Sequence, residues 1–249
     1  MFWTKALPSA QINEEQIRRS FDVVEAPDSA VFLTSVMHIL SAGLGYKVSI
    51  EQNTCVLGDG RPIPMMSYSL VEYLLGLDLS SFDLLELGGG RSTSFWANRT
   101  RSVFTFETDA AWLKVLQSSS LRNLQTRLTT AQTLAQDMLA LGRSFDVIVI
   151  DAAANRYQLA RNALTLLRPG GFIILDNSDW YPNAAGLLRN ADLIQVDFHD
   201  FRAQHHFRCT TSLFMHREFR AKPRSTRMPL PPVGGKDVAG SNDWDRPEG

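Results

Sequence analysis

Cysteine is scarce in this chain of 249 residues, with only Cys55 and Cys209. Two cysteines cannot build a disulfide framework, and such a chain suits a reducing compartment. No uninterrupted apolar run reaches membrane-spanning length. The opening MFWTKALPSAQINEEQ turns polar before a signal-peptide core could form. Charge of either sign is not in excess. The formal net charge is −1, so no global field draws nucleic acid or an anionic membrane. These absences predict a soluble cytoplasmic protein. What the chain does have is 44% hydrophobic residues, enough for the core of one α/β domain with extensions.

The stretch Asp83 to Thr93, DLLELGGGRST, organises the rest. Phe82 to Leu87 has the composition of a central parallel strand carrying one acid, Glu86. Gly88, Gly89 and Gly90 follow, and Arg91-Ser92-Thr93 then leads into a segment of helical spacing. A strand that turns on glycine into a helix lets backbone approach a ligand closely and aims helix N–H groups at it. Nineteen positions after Gly88, Glu107 ends a second strand-like run, where an acid can accept from ribose hydroxyls. This is half of a nucleoside-binding sheet. A nicotinamide loop reads G-x-G-x-x-G, and here Thr93 holds the third glycine's place.

The pattern E-x-G-x-G followed by a small hydroxyl residue resembles the first motif of class I S-adenosylmethionine-dependent methyltransferases. The resemblance implies that Gly88, Gly89, Gly90, Ser92 and Thr93 wrap the cofactor's methionine part, that Glu86 helps fix it, and that Glu107 holds the ribose. Asp151, at the end of the strand Phe145 to Asp151, is a further expected cofactor contact.

Along the chain, helices are expected at Asn13 to Phe21, Ser29 to Leu40 and Met65 to Leu75, and a strand at Tyr46 to Ile50. After the glycine loop, strands 102–107, 124–130, 145–151 and 172–176 alternate with helices 92–98, from Asp109 to about Gln117, 132–141 and 157–167. Such alternation implies parallel order with right-handed crossovers. Asp192 to Phe198 and Cys209 to Met215 are joined only by a loop and should pair antiparallel. The expectation is a Rossmann-like three-layer α/β sandwich with a seven-stranded, mostly parallel sheet and an antiparallel terminal hairpin, as in methyltransferases. Three parts are expected: an extension at 1–61, the cofactor-binding domain at 62–220, and a flexible tail at 221–249 with five of the eleven prolines.

Ligands of open α/β sheets bind beyond the strands' carboxyl ends, which gathers Glu86, Glu107, Asp151 and Asp176. The stretch from Ile148 to Tyr181 resembles O-methyltransferases of the catechol and caffeoyl-coenzyme A type, with D-x-x-x-x-x-Y, then LL-x-x-GG, DN and WY. That resemblance implies Mg²⁺ on Asp151, Asp176 and Asn177, lowering the pKa of an acceptor hydroxyl. Those relatives often carry a lysine base three places after the first aspartate, where this chain has Ala154. The chain is also similar, from about Pro62 to Arg217, to bacterial methyltransferases found with glycan or natural-product genes. That likeness rests on Glu86 to Thr93, Phe95-Trp96, Val149 to Asp151, Leu175 to Asp179 and Thr210 to Ser212.

Without a metal, a hydroxyl acceptor needs a base, and the candidates are Asp151, Asp179 and the histidines His199, His205 and His206, with His205 foremost. Asp151 is followed by three alanines, not by the N/D-P-P-Y/F turn of base-methylating enzymes. The basic run Arg217, Arg220, Lys222, Arg224 and Arg227 lacks interleaved aromatics, so nucleic acid is not the expected partner. The expected reaction is O-methylation of a small molecule or glycan intermediate. The alternatives are a non-catalytic cofactor-binding or partner module and a nicotinamide oxidoreductase.

Overall fold

The computed structural model describes residues 27–220, 222–226 and 229–235. The helix expected at Asn13 to Phe21 lies outside them. Helix α1 (Pro27–His38) runs into a π-helical turn (Ile39–Gly43), followed by α2 (Tyr46–Glu51) and α3 (Tyr68–Leu75). The order then is β1 (Leu77–Asp78), β2 (Asp83–Leu87), α4 (Ser92–Ala97), β3 (Ser102–Glu107), α5 (Ala110–Gln117) and β4 (Leu124–Leu128). It continues with α6 (Leu134–Leu139), β5 (Phe145–Ile150), α7 (Arg156–Leu166), β6 (Leu167–Asp176) and α8 (Pro182–Arg189). Strands β7 (Ile194–Asp200), β8 (Cys209–Met215) and β9 (Lys222–Pro223) close the series. Among the described residues no helix is long and apolar enough to cross a membrane.

The main sheet has seven strands in the order β4-β3-β2-β5-β6-β8-β7. The first five are parallel, and β8 pairs antiparallel with both β6 and β7. Period-2 alternation gives the sheet two apolar faces. Leu84, Val103, Val147, Val149, Phe172, Ile174 and Leu213 pack on Leu70 and Leu74 of α3 and on Phe95, Trp96 and Ala97 of α4. Leu85, Leu87, Ile148, Ile150, Ile173, Leu175 and Phe214 pack on α6, α7 and α8. The result is three layers, helix on sheet on helix.

That same alternation puts Glu86 on the α4 face, in register with Thr105 of β3. At the other end of the sheet, Asp83 accepts from Arg101, Ser102 and Arg168, while Asp146 accepts from Arg168 and from the Asp83 N–H. The Arg101 bond, with help from Ser102 and Arg168, holds the Asp83 carboxyl well below the usual range. This clamp pins the starts of β2 and β5 and leaves their carboxyl ends for a ligand.

Three local expectations are corrected. Tyr46 to Ile50 is helical, within Tyr46–Glu51, with Gly45 as its N-cap and Ser49 its one buried residue. Ser49 Oγ also donates to Val56 O (3.1 Å) and accepts from Val56 N (3.2 Å). Strand β6 begins at Leu167, ahead of the expected Phe172, since Leu167 pairs with Phe145 across an irregularity in register. Strand β7 runs past the expected end at Phe198 to Asp200, with His199 opposite Thr210.

Among the described residues after Ala221, two stretches return to the domain. Lys222–Pro223 pairs with Leu77–Asp78, and the Arg224 N–H donates to Gly76 O (2.8 Å). Farther on, the Val233 N–H donates to Glu72 Oε1 (2.5 Å). Ahead of α3, Cys55, Leu57 and Ile63 pack with Tyr68 and Val71 and with Ala203 from the loop after β7.

Candidate functional site

The glycine loop is built around a carboxylate that never meets solvent. Glu86, at 0% exposure, accepts Ser92 Oγ on Oε1 (2.5 Å) and both Thr93 Oγ1 (2.6 Å) and Thr105 Oγ1 (2.8 Å) on Oε2. Thr93 Oγ1 also accepts from the Gly90 N–H (3.1 Å), so the acid, the start of α4 and the loop form one chain of hydrogen bonds. Burial pushes Glu86 up to about 7 against the pull of those three hydroxyls. The structure thus places Glu86 beneath the loop as its anchor.

Gly88 and Gly89 both donate to Phe106 O (3.0 Å each), which turns the loop across the end of β3. Gly88 has φ +97°, and a Cβ there would lie 2.9 Å from backbone atoms of Asp151 and Ala152. Only glycine fits that position. A Cβ on Gly89 would meet Thr105 Cγ2 at 2.5 Å, whereas one on Gly90 would meet nothing within 4 Å. The loop is therefore packed on its inner side and open at Gly90.

Glu107 lies against the inner side of the loop, at Gly89. The N–H groups of Thr108 (2.6 Å) and Asp109 (2.7 Å) hold its Oε1. Its Oε2 lies 3.4 Å from where a Gly89 Cβ would sit and has no hydrogen-bond partner among the described residues. Burial raises its pKa, opposed by the two N–H bonds. Asp109 caps α5 as expected, accepting from Ala111 N and Trp112 N. Trp112 projects from α5 with the Arg91 guanidinium 5.4 Å from its ring centroid.

The other half of the rim holds two buried arginines that sequence reasoning missed. Arg156 Nη2 donates to Asp151 Oδ1 (3.0 Å), its Nε to Ala152 O (3.1 Å) and its Nη1 to the backbone oxygen of Asp176. Arg202 Nη1 donates to Asp176 Oδ2 (3.0 Å), and Thr211 Oγ1 takes Asp176 Oδ1 (2.6 Å). With its Nδ2 turned toward Asp176 Oδ2 (2.9 Å), the Asn177 amide also accepts from Arg202 Nη1 (3.2 Å). Asn177 sits at φ +53°, a conformation asparagine tolerates, and this turns the chain sharply after β6. Burial, then the Asp151 charge, pushes Asp176 up to about 7 against Arg202. Burial also raises Asp151, opposed by Arg156 and Arg202. Neither arginine stands in a motif, and only tertiary contact shows that both are buried.

This donor set does not fit a divalent ion. Both Asp176 oxygens and Asp151 Oδ1 are already bonded, two guanidinium groups balance the two carboxylates, and Asn177 is engaged with the same pair. No group of three or more His, Cys, Asp or Glu among the described residues could hold a metal.

The base candidates fall in different settings. Asp151 keeps 31% of its side chain exposed, and its backbone packs against Gly88. Asp179 is exposed on the turn after β6. His205 lies edge-on to Phe207 (4.9 Å), and burial together with Arg202 and His206 lowers its pKa to about 4. His206 is exposed against the same ring, and His199 Nδ1 is bonded to Thr210 Oγ1 (2.8 Å). The two cysteines are free and buried, and desolvation pushes Cys55 to about 11 and Cys209 to about 12, so neither thiol is an activated nucleophile.

No family model and no curated protein matches this sequence. Among solved structures, the precorrin-6Y C5,15-methyltransferase of Geobacter metallireducens aligns over 67% of this chain and 96% of its own, with 14% identity and a TM-score of 0.50. The fibrillarin pre-rRNA processing protein of Methanococcus jannaschii aligns over 61% and 75%, with 18% identity and a TM-score of 0.48. The O-methyltransferase TomG of Streptomyces achromogenes, solved with S-adenosylmethionine, aligns over 59% and 78%, with 17% identity and a TM-score of 0.46. With its strand order and terminal hairpin, the chain has a Rossmann-like α/β methyltransferase fold.

Proposed function

We propose that the protein transfers a methyl group from S-adenosylmethionine to an oxygen of a small molecule or glycan intermediate in the cytoplasm. The observation that carries this reading is the pairing of Glu107 with the glycine loop. One carboxylate oxygen is fixed by backbone and the other is left facing Gly89. That leaves one fixed acceptor for a ribose hydroxyl.

The residues fit the cofactor. Gly88 and Gly89 let backbone run close beneath it, Gly90 leaves the mouth open, and Ser92 and Thr93 are locked by Glu86 so that the loop keeps its shape. When bound, the cofactor supplies a sulfonium methyl that an aligned oxygen can attack. The protein's own contribution is positioning and desolvation. We assign proton removal to Asp151, whose backbone touches Gly88 and whose Oδ1 is oriented by Arg156. His205, lowered to about 4, is neutral near pH 7 but a weak base, and Asp179 stands in solvent.

Calorimetric titration with S-adenosylhomocysteine tests the cofactor assignment. Screening of hydroxyl acceptors follows if it binds.

A further inference from the structure

We propose that Arg202, as a fixed guanidinium, supplies at the acceptor end the positive charge that a divalent ion supplies between the corresponding Asp, Asp and Asn of metal-dependent O-methyltransferases. The inference rests on the methyltransferase reading, since only there is this end of the rim an acceptor site. Arg202 enters from the loop after β7 and reaches Asp176 with both side chains out of water, at 5% and 1% exposure. It bonds Asp176 Oδ2 at 3.0 Å and the Asn177 amide at 3.2 Å, two of the three groups a metal would need. The third, Asp151, is held by Arg156. A divalent ion would have to displace Arg202 from Asp176 and Asn177 or bear its repulsion in a region of low dielectric, whereas Arg156 engages only Oδ1 of Asp151.

The remaining feature is Arg202 Nε, buried and without a hydrogen-bond partner among the described residues. A buried donor on a charged group is costly to leave unmet, and a ligand oxygen would satisfy it. Phe207 stands beside it, with the guanidinium carbon 5.9 Å from the ring centroid. The consequence concerns the acceptor's chemistry. A metal with open positions grips two neighbouring hydroxyls, whereas a single N–H donor engages one oxygen. The acceptor therefore needs no vicinal diol.

Titration of the full chain with Mn²⁺, followed by the electron paramagnetic resonance signal of the free ion, tests this. The wild-type protein should leave the signal undiminished at millimolar Mn²⁺. Arg202→Met, checked for folding by circular dichroism, should diminish it, and adding Asp176→Asn should restore it. Mn²⁺ binding by the wild type that Asp176→Asn removes would overturn the proposal, as would a folded Arg202→Met that binds none. If Arg202→Met does not fold, the wild-type titration decides alone. The metal readout needs no cofactor, so failure to bind S-adenosylhomocysteine would count against the methyltransferase reading and leave this result standing.

Discussion

Thr93 Oγ1 lies 2.6 Å from Glu86 Oε2, and both side chains are wholly out of solvent. The bond ties the first turn of α4 to the middle of the sheet, so the glycine loop between them has little freedom. A carboxylate kept in so dry a place makes stability depend on pH. Its folded pKa of about 7 lies above the ordinary 4.5, so the folded state holds the proton longer than the unfolded chain does. The Glu86 contribution is fully present below about pH 4.5 and is lost as pH rises through about 7. We expect unfolding free energy in urea to carry a fall of up to about 3 kcal/mol from Glu86 between pH 4.5 and pH 8. In Glu86→Gln, which keeps an acceptor but cannot ionise, that component should vanish. A variant with the same pH slope as wild type would contradict it.

The two ends of the glycine loop should separate under the smallest change. Gly88→Ala puts a methyl 2.9 Å from the backbone of Asp151 and Ala152 at a positive φ, and should lose at least about 2 kcal/mol of stability. Gly90→Ala meets no protein atom but sits at φ +158°, so it should carry only the backbone strain, about 1 kcal/mol and less than Gly88→Ala, while affinity for S-adenosylhomocysteine falls. Paired thermal melts and titrations check both. Equal destabilisation of the two variants would mean that the loop is not open at Gly90.

Arg202→Met leaves Asp176 buried without its cation. Breaking one side of a buried pair typically costs about 3–5 kcal/mol. Asp176 can escape part of that cost by taking a proton, because its pKa is already raised to about 7 and rises further without Arg202. The deficit should therefore be largest at pH 8 and shrink by pH 6, as measured by urea unfolding at both values. A deficit independent of pH would place the loss in packing instead of charge.

Much of this was legible in the sequence where local chemistry decides structure. Strand β8 falls on Cys209–Met215 as expected, because its residues form an unbroken β-prone run between polar turns. Asp109 caps its helix because the side chain needs only the N–H groups two and three residues on, those of Ala111 and Trp112. Tyr46 to Ile50 misled because five alternating residues also fit a short helix. The Lys47–Glu51 pair, four apart and 3.8 Å in the structure, was the helical signal to weigh against it. Burial of charge was not legible. Nothing local marks Arg156 or Arg202, and only the meeting of β5, β6 and the loop after β7 makes them the cations of the rim.

Calorimetric titration of the full chain with S-adenosylhomocysteine, and separately with NADH, each with and without Mg²⁺, tests the central claim most directly. The account predicts S-adenosylhomocysteine binding in the micromolar range, unchanged by Mg²⁺, and no heat from NADH. In Glu107→Gln that affinity should fall by about tenfold or more, as expected for a hydrogen bond to a charged group. Heat from NADH with none from S-adenosylhomocysteine would contradict the account, and silence from both ligands would leave the fold without the cofactor assigned to it.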